Sequence, residues 1–164
     1  MKIAIISDTH NHLTNLYKAL QMIEDEDIHT IIHCGDVTTT ETLSSLSAFR
    51  VILTFGNGDF TSGEMREALL KMNPDSYAGS VFQGEIDGLR IAVTHGHIFS
   101  QFQTLLNSQQ FDLLFHGHTH RREDTLHGNT RLINPGALGG LRKEERSFCI
   151  LDTHSRQLRF VLLD

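Results

Sequence analysis

The strongest constraint on this chain is an alternation in its first third. Three short apolar runs, residues 2–7, 30–33 and 51–55, are separated by segments with helical character. Leu13, Leu16, Tyr17, Leu20 and Ile23 recur at helical spacing, so residues 12–25 are predicted to form an amphipathic helix. Residues 40–48 read as a second helix. Strands joined through helices need crossover connections, which are right-handed and leave the strands parallel in one sheet. Runs that are apolar at successive positions suit strands buried on both faces.

The second half has a different texture. Asp87-Gly88 lies between residues 80–86 and 89–94, a strong hairpin signal. Residues 100–108 fit a helix and Leu113-Leu114-Phe115 a buried strand. Further strands are expected at 123–127, 130–133, 147–152 and 157–163. An α/β first half and a mostly β second half (α+β in texture) are both satisfied by two packed β-sheets flanked by helices. With 164 residues and no linker or repeat, one domain spanning 1–164 is expected. No stretch approaches the ~18 apolar residues of a membrane span. The N-terminal apolar run is too short for a signal peptide, so the expected location is cytoplasmic. Cys34 and Cys149 form no CxxC pair and read as two reduced, buried thiols.

The chain holds 11 histidines, far more than packing needs, so their positions matter. Five motifs place Asp, Asn or His just after an apolar run. These are Asp8-Thr9-His10, Gly35-Asp36, Gly56-Asn57-Gly58-Asp59, His95-Gly96-His97 and Gly117-His118-Thr119-His120. In α/β sheets, ligand sites gather at the carboxyl ends of strands, so these motifs can converge. Any one of them alone reads as a turn or a solvated pair. Five together are not explained by turns, because stability does not require histidine there.

Asp8, His10, Asp36, Asn57, His95, His118 and His120 offer too many donors for one tetrahedral zinc. They suit two divalent ions sharing a bridging carboxylate and a bridging water, with Asp36 as the natural bridge. The mixed oxygen and imidazole set fits Mn²⁺, Ni²⁺, Zn²⁺, Fe or Mg²⁺ and does not select among them, with Mn²⁺ the first expectation. By formal counting, two divalent ions, two Asp and one hydroxide leave about +1 on the cluster. Such a site attracts an anion, and a phosphate ester is the obvious one. Two metals can activate a bridging hydroxide for in-line attack. The chain has neither a P-loop pattern nor a Gly-x-Ser-x-Gly elbow.

In this order and spacing, the motifs resemble the calcineurin-like metallophosphoesterases. The Ser7-Asp8-Thr9-His10 start and Asn134-Pro135-Gly136 resemble the small YfcE-type phosphodiesterases in particular. The resemblance runs from residue 3 to about residue 137. It implies a four-layer sandwich of two β-sheets flanked by helices, and metal-dependent phosphodiester hydrolysis. It also implies a division of ligands: Asp8, His10 and His120 on one ion, Asn57, His95 and His118 on the other, Asp36 between. Catalysis would fall to Asp36, Asn57 and His97, with Asn57 and His97 near the phosphate.

One position departs from the larger relatives, whose Gly-Asn-His-Glu or Gly-Asn-His-Asp motif supplies a leaving-group histidine. Here that position is Gly58. Lost general acid catalysis typically costs 10²–10⁴-fold, so esters with acidic leaving groups, such as aryl phosphodiesters, are the expected substrates. His12 or His97 could substitute as the acid.

His33 is expected mainly to pack or cap, and His29, His116, His127 and His154 are assigned no role. The Asn134-Pro135-Gly136 turn is either structural or a source of backbone groups near the substrate. Phe99, Phe102 and Leu105-Leu106 read as core or a dimer contact. The formal net charge of −6 argues against a nucleic acid polymer as substrate, and Glu144 and Glu145 interrupt the one concentration of Arg142, Lys143 and Arg146. A small phosphodiester is expected instead, with phosphomonoester hydrolysis as an alternative and a homodimer as the default assembly. A retromer subunit shares this fold as a protein-binding scaffold, but such scaffolds lose ligand residues and this chain keeps all of them.

Overall fold

The computed structural model describes residues 1–141 and 144–163, so Arg142 and Lys143 of the basic cluster lie outside the described residues. The opening alternation folds as anticipated: β1 (Lys2–Ile6), α1 (Leu13–Asp25), β2 (Thr30–His33), α2 (Thr40–Ser44) and β3 (Arg50–Thr54). α3 (Ser62–Met72) and β4 (Tyr77–Gly79) follow. β1 to β4 pair in parallel in that order. β10 (Ser147–Asp152) and β11 (Leu158–Leu162) add antiparallel on the β1 edge, giving six strands.

The second sheet holds β5 (Val81–Ile86), β6 (Leu89–Thr94), β7 (Leu113–Phe115), β8 (Arg122–His127) and β9 (Thr130–Pro135), in the order β5-β6-β7-β9-β8. β6, β7 and β9 are mutually parallel. The Asp87-Gly88 hairpin is realised, with both residues at positive φ (52° and 78°), the backbone that a two-residue turn between twisted strands demands.

Alternation along the buried strands sorts side chains into layers. Ile3, Ile5, Ile32 and Ile52 face Ile91, Val93, Leu113, Phe115 and Ile133 across the gap between the sheets. Ala4, Ile6, Ile31, Val51 and Leu53 point the other way, onto Leu16, Leu20 and Ile23 of α1, Leu43 of α2 and Met65 and Leu69 of α3. Ala92, Leu114 and Leu132 on the far side of the second sheet pack on Leu105 and Leu106 of α4 (Phe99–Asn107). The result is helix, sheet, sheet, helix, the four-layer sandwich expected. The aromatic stripe on α4 is core at Leu105 and Leu106, while Phe99 is 70% exposed. No described helix is long and apolar enough to cross a membrane.

Three details differ from the sequence reading. α2 stops at Ser44 rather than reaching residue 48, because the next N–H groups bond three residues back (Leu46 to Leu43, Ser47 to Ser44), as in tight turns. α3 and β4 were not anticipated. α3 buries only Met65 and Leu69, so its apolar stripe is thin, and β4 is three residues long. Asn134 and Pro135 end β9 rather than forming a free turn.

Candidate metal centre

The parallel arrangement puts the carboxyl ends of β1, β2, β3, β6 and β7 along one edge of the sandwich. Each of the five motifs leaves one of these strands. Asp8, His10, Asp36, His118 and His120 all have positive φ, between 45° and 65°. Non-glycine residues avoid this region, and each such position costs of order 1–3 kcal/mol unless its surroundings hold it. The strain sits on prospective ligands, where it turns side chains off the strand ends and toward one another.

What holds the strained loops is a mesh of backbone bonds. Asp8 N–H donates to Gly35 O and His10 N–H to Asp36 O, both at 2.9 Å. Gly139 N–H donates to Asp8 O at 2.8 Å. Close approach requires glycine around the site, as Gly56 and Gly117 show. A Cβ on Gly56 would lie 2.1 Å from Asp36 Oδ1, and one on Gly117 would lie 1.9 Å from Ser7 Oγ.

The donors converge as anticipated, with one refinement. Asp8 Oδ1 lies 3.2 Å from His120 Nε2, 3.8 Å from His10 Nε2 and 4.0 Å from His95 Nε2. Asp36 Oδ2 lies between two imidazoles, 3.6 Å from His10 Nε2 and 3.5 Å from His95 Nε2. Two overlapping groups result: Asp8 with His10 and His120, and Asp8 with Asp36 and His95. The refinement is that Asp8, like Asp36, reaches both halves. Asn57 Oδ1 sits 3.2 Å from His95 Nε2, and the His118 ring stands 5.1 Å from the His95 ring between centroids. The His97 ring lies further out, 5.4 Å from that of His95 and 6.4 Å from that of His118. Asn57, His97 and His118 are exposed, whereas Asp8, Asp36 and His95 are buried.

One atom tests whether ions fit. Asp8 Oδ1 is buried and accepts no hydrogen bond, although Ser7 Oγ–H and His118 N–H both donate to its Oδ2. An unpaired buried carboxylate oxygen is costly unless a cation meets it. The Nε2 atoms of His10 and His120 are 3.3 Å apart, close enough to serve one ion together with Asp8. His95 Nδ1–H donates to Cys34 O at 2.7 Å, which leaves its Nε2 lone pair free for a metal. The residues therefore fit divalent ions.

The electrostatics agree. Burial pushes the Asp8 carboxyl up, but the nearby His120 imidazole, the charge of His95 and the Ser7 hydroxyl together bring it below its usual range. Burial, then neighbouring His95, lowers His97 and His118, favouring neutral imidazoles. An open cleft of about 550 Å³ lies over the centre, lined by His10, His12, Asp36, Asn57, His118, His120, Gly140 and Leu141. His12 also caps α1, its Nδ1 accepting the Asn15 N–H at 3.3 Å.

Three supporting residues carried little weight in the sequence. His33 is fully buried beneath the site; its Nδ1 accepts the Gly35 N–H (3.1 Å) and its Nε2–H donates to Thr9 Oγ1 (2.8 Å). Asn134 is equally buried and donates to Gly117 O (2.9 Å) and Thr119 Oγ1 (3.0 Å), tying down the His118 loop. His116 contacts Glu123 at 3.2 Å behind the same loop. Asn-Pro-Gly read as turn chemistry, and only the packed structure shows what the amide holds.

Comparison with known proteins agrees with this geometry. Residues 1–156 match the model of the calcineurin-like phosphoesterase superfamily domain. A protein named as a phosphodiesterase in Methanocaldococcus jannaschii is 34% identical, with 100% of both chains covered. A probable metallophosphoesterase of Bacillus subtilis is 30% identical over 98% of this chain and 90% of its own. Among solved structures, one described as a novel archaeal phosphodiesterase superposes with a TM-score of 0.94 at 34% identity, covering 99% of this chain and all of its own. The YfcE phosphoesterase of E. coli shares the fold, with a TM-score of 0.69 at 20% identity over the full length of both chains.

Proposed function

Since this chain belongs to the calcineurin-like phosphoesterase superfamily, we propose that it is a phosphodiesterase that hydrolyses a small phosphodiester with the aid of two divalent metal ions. The observation that carries this reading is Asp8 Oδ1: buried, without a hydrogen-bond donor, and faced by three imidazole nitrogens. The full-length relative named as a phosphodiesterase supports the diester preference.

Asp8, His10 and His120 would hold one ion, and Asn57, His95 and His118 the other. Asp36 would bridge, since its Oδ2 is nearly equidistant from His10 and His95. When bound, such ions would supply Lewis acidity, making water a better nucleophile near neutral pH and offsetting phosphoryl charge. The chain's own residues do the rest. Backbone bonds between the strained loops preset the spacing of Asp8 and Asp36, so little reorganisation accompanies substrate binding. Asn57 and His97 stand on the open side, where the amide and the imidazole donate hydrogen bonds to phosphoryl oxygens. His12 lines the same cleft, and its Nδ1 is occupied by the Asn15 N–H, which leaves Nε2–H available to a substrate oxygen. A neutral imidazole is a weak acid, which supports preference for aryl or other acidic leaving groups where Gly58 replaces the histidine of larger relatives. The exposed cleft and the net charge of −6 favour a small ester over a polynucleotide.

Hydrolysis of bis-p-nitrophenyl phosphate and p-nitrophenyl phosphate by metal-stripped protein resupplied with Mn²⁺ tests this directly. Diester turnover should require metal, exceed monoester turnover and fall by more than about 100-fold in Asp36→Asn, which removes the bridging charge. A protein that binds two ions yet turns over neither ester with any divalent metal would instead be a scaffold of this fold.

A further inference from the structure

Asp59 is a buried carboxylate, 6% exposed, at the end of the Gly56-Asn57-Gly58-Asp59 turn. Its partners are three backbone N–H groups from two loops. Oδ2 accepts from Gly56 at 2.8 Å and from Asp36 at 2.9 Å, and Oδ1 accepts from Thr38 at 2.7 Å. Asp36 reciprocates, because its own Oδ1 accepts the Gly58 N–H at 2.7 Å. Two of the three donors belong to residues in left-handed backbone, Asp36 at φ 57° and Thr38 at φ 81°. Neither is glycine, so both conformations need external support, and Asp59 bonds the N–H of both.

We propose that Asp59 is a positioning residue for the metal centre. By clamping the loop after β2 to the loop after β3, it sets the distance and aim of Asp36 and Asn57. This rests on the two-metal reading above. The chemistry explains why the position holds an acid. Three converging N–H donors at 2.7–2.9 Å need an acceptor-only group. An amide of the same shape turns an NH₂ toward at least one of them. Asp59 does not itself line the cleft and its bonds are to backbone N–H groups, so it acts only through the residues it holds.

The test is Mn²⁺ titration of the metal-stripped protein, followed by calorimetry and by electron paramagnetic resonance, in wild type, Asp59→Asn and Asp59→Asn with Thr38→Gly. Wild type should bind two ions per chain; binding of fewer than two would defeat the two-metal reading itself, irrespective of Asp59. With two sites in wild type, Asp59→Asn should weaken the ion held by Asp36 and Asn57 by about 10–100-fold, the usual loss when a residue supporting a ligand is changed. The Asp8, His10 and His120 ion should be affected less. Thr38→Gly relieves the left-handed strain and keeps the double variant folded if the single one is not. Persisting weak binding in the folded double variant supports the positioning role. Wild-type affinity at both sites, in either variant, would show that Asp59 only relieves loop strain and would overturn the proposal.

Discussion

At the scale of single residues, the site depends on buried polar groups that never face the cleft, and His33 shows how. Burial holds its imidazole down to a pKa of about 3, so it stays neutral in the fold while the unfolded chain titrates near 6.5. The unfolded state therefore binds the extra proton. His33 costs nothing above pH 6.5, and stability is lost as pH falls from there toward 3, at up to about 1.4 kcal/mol per pH unit. His33→Asn keeps an acceptor for the Gly35 N–H but loses the Thr9 bond and leaves a gap, so at pH 7 it should destabilise by about 1–3 kcal/mol. Urea unfolding of the metal-free proteins should then show the difference between wild type and variant narrowing by about 2 kcal/mol between pH 7 and pH 5. A pH-independent difference would mean that His33 takes up its proton in the folded state. Its neighbours in sequence, Ile32 and Cys34, suggest only a buried strand, which is why its contact with Thr9 was not legible. The prospective ligands were legible because a carboxylate or imidazole straight after a buried strand has no packing purpose.

At the scale of elements, legibility tracked the strength of the local signal. The β5–β6 hairpin was readable because Asp87-Gly88 states a turn geometry outright. Gly88 has φ 78° and nothing within 4 Å of where a Cβ would be, so its need is purely conformational. Gly88→Ala should cost about 1–2 kcal/mol in thermal or urea unfolding, the penalty for an L-residue in left-handed backbone, and leave diester turnover unchanged. A loss of activity at equal stability would tie the hairpin to the site, which the structure does not. β4 and α3 went unread for the opposite reason. Tyr77–Gly79 is too short to show alternation, and its place at the sheet edge is set by pairing with Ile52, Leu53 and Thr54. α3 is held by Met65 and Leu69 against the core, and its Thr61 N-cap makes no side-chain bond that would mark the start. Both elements follow the Gly56–Asp59 loop and return the chain to the sheet, so they frame a ligand loop without supplying a donor.

At the scale of the whole molecule, the candidate metal centre lies where two sheets meet. Asp8, His10, Asp36 and Asn57 leave the six-stranded sheet, while His95, His118 and His120 leave the five-stranded one. The sheets otherwise associate through the apolar layer between them, from Ile3 and Ile5 to Val93 and Phe115. Ions coordinated by both sets would therefore join the sheets at the edge where the ligand loops meet. The unfolded chain has no such site, so binding adds directly to folding stability. An ion present at 1,000 times its dissociation constant contributes about 4 kcal/mol. For a chain of this length, each kcal/mol raises the melting temperature by about 2–4 °C. Saturating Mn²⁺ should thus raise the melting temperature of metal-stripped protein by roughly 10 °C or more. The rise should be smaller in Asp36→Asn, which loses the bridge, and in His95→Ala, which removes a donor of the five-stranded sheet. Because His95 lies across the interface from Asp36, equal loss from either substitution is the pattern expected of a centre that spans both sheets. A full rise in His95→Ala would show that the stabilising ion does not depend on His95 and is held instead by the Asp8, His10 and His120 group. The bridging role of Asp36 would then have to be given up, because the nearest imidazole left to share it with is His10, from the same sheet.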